Sequence, residues 1–359
     1  MHAQLLAGPP AAGVAGAVRG AAAIQAQDLD ASLLAIRART SGLVADDVRR
    51  AVGEERSVVR TWAMRGTLHM VPTADVGWIV DLLGPVFIPR FRRRRLELGL
   101  DDDLCERAVH AMAEILSGGR ALTRSRLVAG LREAGVPVPP TGQAPAHVVL
   151  FAALRGVVCR GLDGEGGEPS YVLLREWAGH WEGRDEDAAL AELARRHVSG
   201  YGPATPADFA AWSGLPARQA RRGWEQITGE LAEVATAAGP AWVSREAVDS
   251  LPKAAERFSA KLVGAFDGAL LGHKRRDLML EPEHARNVVP GGGIIHPAVL
   301  VDGRVVARWK WGRRSKKNAV VVEPFVPLVP ELRFVLEEEV ADIGRFLGTR
   351  TCLELVEEQ

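Results

Sequence analysis

The chain has 359 residues, 47% hydrophobic and 25% charged, and its 45 basic side chains are balanced by 45 acidic ones. That length exceeds one simple core and points to roughly two to four domains, while the balanced charge excludes a wholesale polycation and leaves room for local basic clusters. Cys105, Cys159 and Cys352 stand in no C-x-x-C spacing, and no basic start with an apolar run or membrane-length segment is present, so the expectation is a cytoplasmic protein with no metal, no cofactor and no membrane contact.

In chain order, Pro9 and Pro10 open a helix over 12–20 that leads into Ala23-Ile-Gln-Ala-Gln-Asp28. This run sets two glutamine amides, Gln25 and Gln27, two residues apart beside an acid. Asp28 or Asp30 caps a helix over 31–39. A further helix spans 46–55, with Val48 and Val52 one turn apart, and another spans 58–65 behind Ser57. Gly66 ends it, and 67–71 reads as a short strand before Pro72. Helices followed by a strand are the pattern of a winged helix-turn-helix. Helices over 74–83 and 85–98 extend this module, the second carrying Arg90 and a run from Arg92 to Arg95.

The pattern returns twice. Helices over 101–117, 123–134 and 145–155 precede strands over 156–161 and 171–174, joined by a Gly/Glu-rich tip at 163–168 with the composition of a wing. Helices over 185–197, 205–212 (Thr205 as cap, Pro206 at the first helical position) and 216–229 then precede a hairpin around Gly239-Pro240. Past Leu251-Pro252 the composition turns to strands over 305–311, 319–324 and 351–356, with a closing helix near 330–347. Asp302-Gly303 is the strongest hairpin signal in the chain. The reading is an α+β chain of three tandem winged helices and a C-terminal small β-barrel. Its domains are winged helix 1 over 1–100, winged helix 2 over 101–182, winged helix 3 over 183–252, and a β-rich domain over 253–359.

Basic residues cluster in the last domain. Arg304, Arg308, Lys310, Arg313, Arg314, Lys316 and Lys317 follow one another with no acid before Glu323, and Trp309 and Trp311 alternate with them. One strand face is then basic and the other aromatic, a footprint for tracking phosphates. The bland alternative is a charged edge that blocks sheet aggregation. Lys274-Arg275-Arg276 and the arginines at 90–95 add to the nucleic-acid reading. Nucleotide-binding glycine loops, H-E-x-x-H and G-x-S-x-G are absent. The nine histidines do not cluster; His69 reads as a packed or wing residue, and His284 and His296 flank a Pro-Gly-Gly-Gly turn within reach of a phosphate.

Several segments together resemble the AlkZ/YcaQ family of winged-helix DNA glycosylases. They are Gln25–Asp28, Val59-Arg-Thr-Trp-Ala-Met-Arg-Gly-Thr-Leu-His-Met-Val-Pro72, Tyr201-Gly-Pro-Ala-Thr-Pro-Ala-Asp-Phe-Ala-Ala-Trp-Ser-Gly214, Phe266–Gly272 and Val289–Gly293 running on to Val306. The resemblance runs from about residue 15 to 350. It implies tandem winged helices and a barrel arranged as an open C around double-stranded DNA, and excision of N-alkylated purines, including those in interstrand crosslinks. It places Gln25 and Gln27 at the catalytic position, in the Gln-x-Gln subgroup associated with antibiotic self-resistance. It makes Arg60, Arg65, His69, Lys274, Arg275, Arg276, His296, Arg308, Lys310, Arg313, Arg314 and Lys316 the candidate DNA contacts, with 294–311 as a DNA-probing hairpin. The expected enzyme is a nucleoid-associated monomer.

The chemistry suits amides. Alkylation at purine N7 or N3 makes the base a cationic leaving group, so the transition state resembles an oxocarbenium ion and needs no leaving-group protonation. Two carboxamide oxygens can stabilise that cation and hold a water. With no lysine near the triplet, a Schiff-base step is not indicated. Two other readings stand beside this one: a winged-helix transcriptional regulator, against which three modules in one chain argue, and a lesion-binding protein without catalysis.

Overall fold

The computed structural model describes residues 1–250, 259–314 and 317–356, and only the backbone of Glu165, Asp249, Ser250, Arg313, Arg314 and Lys317. Leu251-Pro252, where the composition changes, lies outside the described residues. The chain is mixed α+β and divides into two compact units. One comprises Met1–Val48, Leu193–Trp212 and residues within Trp224–Gln359; the other comprises Arg49–Glu192 and Ser213–Gly223.

In the second unit, five strands run in the order Leu68–Pro72, Val58–Trp62, Val158–Arg160, Ser170–Leu173, Leu122–Thr123. The helix expected over 58–65 is instead the strand Val58–Trp62, paired antiparallel with Leu68–Pro72. Val58, Val59 and Thr61 are β-branched and buried, which suits a pleated surface better than a helix. The reversal falls at Met64-Arg65-Gly66, where Arg65 (φ 58°) and Gly66 (φ 70°) are both left-handed.

The two helices expected over 74–83 and 85–98 are one, Thr73–Glu97, running through Pro85 and Pro89. Each proline removes one helical hydrogen bond, and burial of Leu83 and Phe87 outweighs the loss. At Gly84 this helix meets the helix Ala144–Leu154 so closely that a Cβ would sit 2.1 Å from the Leu154 carbonyl oxygen. Behind it, the helices Asp102–Leu116, Arg124–Glu133 and Ala144–Leu154 pack around Leu104, Met112, Leu127, Val148 and Phe151. No helix among the described residues is long and apolar enough to cross a membrane.

In the first unit, a five-stranded sheet has the order Thr351–Leu355, Lys317–Pro324, Arg304–Arg314, Ala298–Val301, Ala260–Val263. Its two outer strands do not pair with each other, so the expected barrel is an open half-barrel. The helix Pro330–Leu347 lies on its inner face around Trp309, Val320, Leu336 and Ile343. The Asp302-Gly303 hairpin forms as expected, with both turn residues left-handed. Cys105 and Cys159 are buried, which pushes the Cys105 thiol up to about 11 and the Cys159 thiol higher still; Cys352 is half-buried.

Candidate active site

The helix Gly13–Gly20 ends in a tight turn, with Ala22 left-handed at φ 58°, before the short strand Ile24–Gln25. Ala26 is fully buried between the two glutamines, whereas Gln25 is half-buried and Gln27 exposed. Ala26 turns inward between them, and the Gln25 amide nitrogen donates to Gln27 Oε1 at 3.2 Å. The two amides therefore act as one unit. Gln27 Oε1 keeps a second lone pair for an outside donor or a developing cation. Asp28 caps the helix Leu29–Arg37, its carboxylate accepting from the Ala31 N–H at 3.0 Å.

Residues without a predicted role fix this turn. The buried Tyr201 hydroxyl donates to the Ala21 carbonyl at 2.9 Å, and a Cβ at Gly200 would lie 2.9 Å from the Gly20 carbonyl oxygen. The far end of the capped helix is held by two buried arginines. Arg37 donates to Glu339 at 2.9 Å, to Asp342 at 3.3 Å and to the Leu262 carbonyl at 2.6 Å. Arg39 forks onto Asp267 at 2.8 and 2.7 Å. Tyr201 and Asp267 do lie in segments that carry the family resemblance, which is the only sequence signal that singles them out.

The candidate DNA contacts fall into three settings. Arg60 and His69 are buried. Arg60 reaches Asp163 at 3.4 Å, which Arg160 also binds, and its pKa is lowered by burial and by the like charge of Arg160. Burial, reinforced by Arg65, pushes the His69 imidazole down to about 3, so the ring is neutral near pH 7 while Nδ1 meets the Thr67 carbonyl at 2.9 Å. A second group is only partly covered. Arg65 is half-buried at the left-handed turn, Arg276 gives its Nε–H to the Leu270 carbonyl, and His296 sits half-buried after the glycine turn.

The third group is solvent-facing but tied to acids. Arg275 Nε donates to Asp277 at 2.7 Å. Arg308 and Lys310 lie on one face of their strand and both bind Glu323 on the next, Lys310 at 2.5 Å. Burial opposes the Glu323 charge, yet Lys310 and Arg308 hold its carboxyl below the usual range. The acid-free run in sequence thus meets an acid across the sheet. Lys274 is exposed, with its backbone N–H on Asp208 at 2.8 Å. The side chains of Arg313 and Arg314, and all of Lys316, lie outside the described residues. The aromatic face of the same strand is largely core: Trp309 is buried, and only Trp311 is open to solvent.

A family model described as DNA glycosylase AlkZ-like matches residues 18–346. An interstrand DNA cross-link repair glycosylase of Streptomyces sahachiroi is 30% identical over 353 residues, covering 95% of this chain and 91% of that protein. The solved structure of Streptomyces sahachiroi DNA glycosylase AlkZ superposes with a TM-score of 0.83 at 26% identity, over 99% of this chain and 97% of that one. With a glutamine pair on an exposed, rigidly held turn and a match along nearly its whole length, the chain belongs to the AlkZ-like DNA glycosylase family and is a DNA glycosylase.

Proposed function

We propose that this glycosylase hydrolyses the N-glycosidic bond of N7- and N3-alkylated purines in double-stranded DNA, including bulky adducts and interstrand crosslinks left by a natural-product alkylating agent. In this reading it is a monofunctional, monomeric self-resistance and repair enzyme of the Gln-x-Gln subgroup. The C1′–N bond breaks with its electron pair passing to the cationic purine. A water then adds to C1′, and its proton leaves to solvent. Gln25 and Gln27 stabilise the oxocarbenium ion and hold that water through their carbonyl oxygens. The observation that carries this is the 3.2 Å bond joining the two amides on an exposed turn. Asp28 acts as a helix cap in this scheme, because its carboxylate already accepts from the Ala31 N–H. The relative named for interstrand cross-link repair supports the crosslink assignment.

The helix-then-strand groupings are read here as winged helices over 1–100, 101–182 and 183–252, with the DNA-probing element in the domain over 253–359. We assign phosphate contact to Lys274, Arg275, Arg276, Lys310, Arg308, Arg65, His296, Arg313, Arg314 and Lys316. Arg60 and His69, being buried, make no direct phosphate contact in this assignment. The test is base release from a duplex carrying one N7-alkylguanine, with Gln25→Ala and Gln27→Ala alongside the wild type. Each substitution is expected to slow release by roughly 10²–10³-fold, the loss typical of removing one preorganised stabilising group, with duplex affinity retained. Tight binding without release by the wild type, on simple and bulky adducts alike, would sink the proposal.

A further inference from the structure

The inner face of the half-barrel is covered by the helix Pro330–Leu347 and by Leu34 as far as Trp309. Trp309 is buried and gives its indole N–H to the Val263 carbonyl at 2.9 Å. Among the described residues, the cover stops two residues further along the strand. The helix ends at Leu347, with Gly348 left-handed. Trp311, on the same face as Trp309, meets it edge-on at 5.4 Å between ring centroids and is 44% exposed. Over it lies a hollow of about 490 Å³ lined by Asp30, Leu34, Trp311, Gly312, Asn318 and Leu347.

Asp30 and Leu34 lie one turn apart on the helix that Asp28 caps. Gln27 lies three residues before Asp30, so the glutamine pair and one wall of the hollow share a short stretch of chain, with at most about 11 Å between the Gln27 and Asp30 backbones. We propose that this hollow is a specificity site for the planar aromatic substituent of a bulky purine adduct, stacked on Trp311 while Gln25 and Gln27 address the sugar. The proposal rests on the glycosylase reading given above.

The chemistry of the lining argues for this occupant. An exposed indole face beside two leucines favours a flat apolar ring system. Asp30 accepts hydrogen bonds only, so it selects a hydroxyl or amine on the edge of that ring system. The volume falls within the roughly 300–1,000 Å³ that holds a drug-sized molecule, more than one purine needs. An open-sided hollow also suits a substituent that remains attached to a base in the duplex.

The experiment compares two substrates, a duplex with one N7-methylguanine and a duplex with one N7-guanine adduct bearing a fused polycyclic aromatic group with free hydroxyls. Trp311→Ala is expected to leave release of N7-methylguanine within about two-fold and to slow release of the polycyclic adduct by about ten-fold or more, the scale of one lost stacking partner. Trp311→Phe is expected to restore most of that rate, and Asp30→Asn to lower the polycyclic rate alone. Because Trp311 is a surface side chain, an unchanged unfolding midpoint keeps the comparison valid. An equal loss on both substrates would place the base itself on Trp311 and overturn the assignment, as would no loss on either. Release of neither substrate by the wild type would instead remove the glycosylase reading on which the site depends.

Discussion

Arg39 and Asp267 are each about 1% exposed and face one another through two charge-assisted hydrogen bonds. Burial disfavours the guanidinium charge, yet Asp267 raises the Arg39 pKa above its ordinary value. Breaking one side of such a pair leaves a buried charge without compensation. Asp267→Ala is therefore expected to destabilise the protein by about 3–5 kcal/mol, read as a lower denaturant midpoint. A loss below about 1 kcal/mol would show that Arg39 finds water or another acceptor. The sequence made the glutamine pair visible because its geometry is local, two side chains two residues apart. It hid the pairs that steady it, because Arg39 and Asp267 are 228 residues apart and Arg37 and Glu339 are 302 apart. Spacing within a single sequence carries no signal over such separations.

At the level of elements, helix and strand positions were mostly legible from periodicity and caps. The closing helix Pro330–Leu347 and the Asp302-Gly303 hairpin match the reading closely. Two departures share a cause, namely tertiary burial overriding a local signal. Val58–Trp62 became a strand because it has a partner strand, and Thr73–Glu97 continues through two prolines because its flank is packed. Glycine substitutions measure that packing. On propensity alone, Gly→Ala in a helix interior stabilises by up to about 1 kcal/mol. Gly16→Ala is expected to follow this rule, since its Cβ would meet only the Ala11 methyl at 3.7 Å. Gly84→Ala is expected to reverse it, destabilising by about 1–3 kcal/mol, because its Cβ would strike backbone at 2.1 Å. Thermal midpoints of the two variants decide the matter; a stabilised Gly84→Ala would show that the two helices are free to separate.

For the molecule as a whole, 45 cations balance 45 anions, and the structure shows how local this balance is. The arginines at 92–95 all meet acids: Asp102 takes Arg92 and Arg95, and Glu97 takes Arg93 and Arg94. A run that looks like a bare basic patch in sequence is therefore paired on its own helix and the next, where two carboxylates offset half of its four charges. Stability against acid has a different source. Burial lowers His69 to about 3 and His197 to about 4. Both rings stay neutral in the fold but take up protons near pH 6.5 once unfolded. The unfolded state then binds more protons, so stability is complete above about pH 6.5 and falls as the pH drops toward 4. Each histidine contributes a slope of at most about 1.4 kcal/mol per pH unit. Denaturant midpoints measured from pH 7 to pH 4 should fall, and His69→Gln should flatten the curve; a flat wild-type curve would contradict the burial of both rings.

The cysteines bear on what an enzyme with the proposed substrate must tolerate. An electrophile that alkylates DNA also reaches the protein bound to that DNA, and among side chains the thiolate is the most reactive target. Cys105 and Cys159 are shut away from solvent and held in the protonated, unreactive form. Among the described residues this leaves Cys352, on an outer strand of the half-barrel, as the one cysteine such an agent can approach. Under the proposed function, cysteine alkylation by the agent that creates the substrate is thereby confined to a half-buried position on that outer strand.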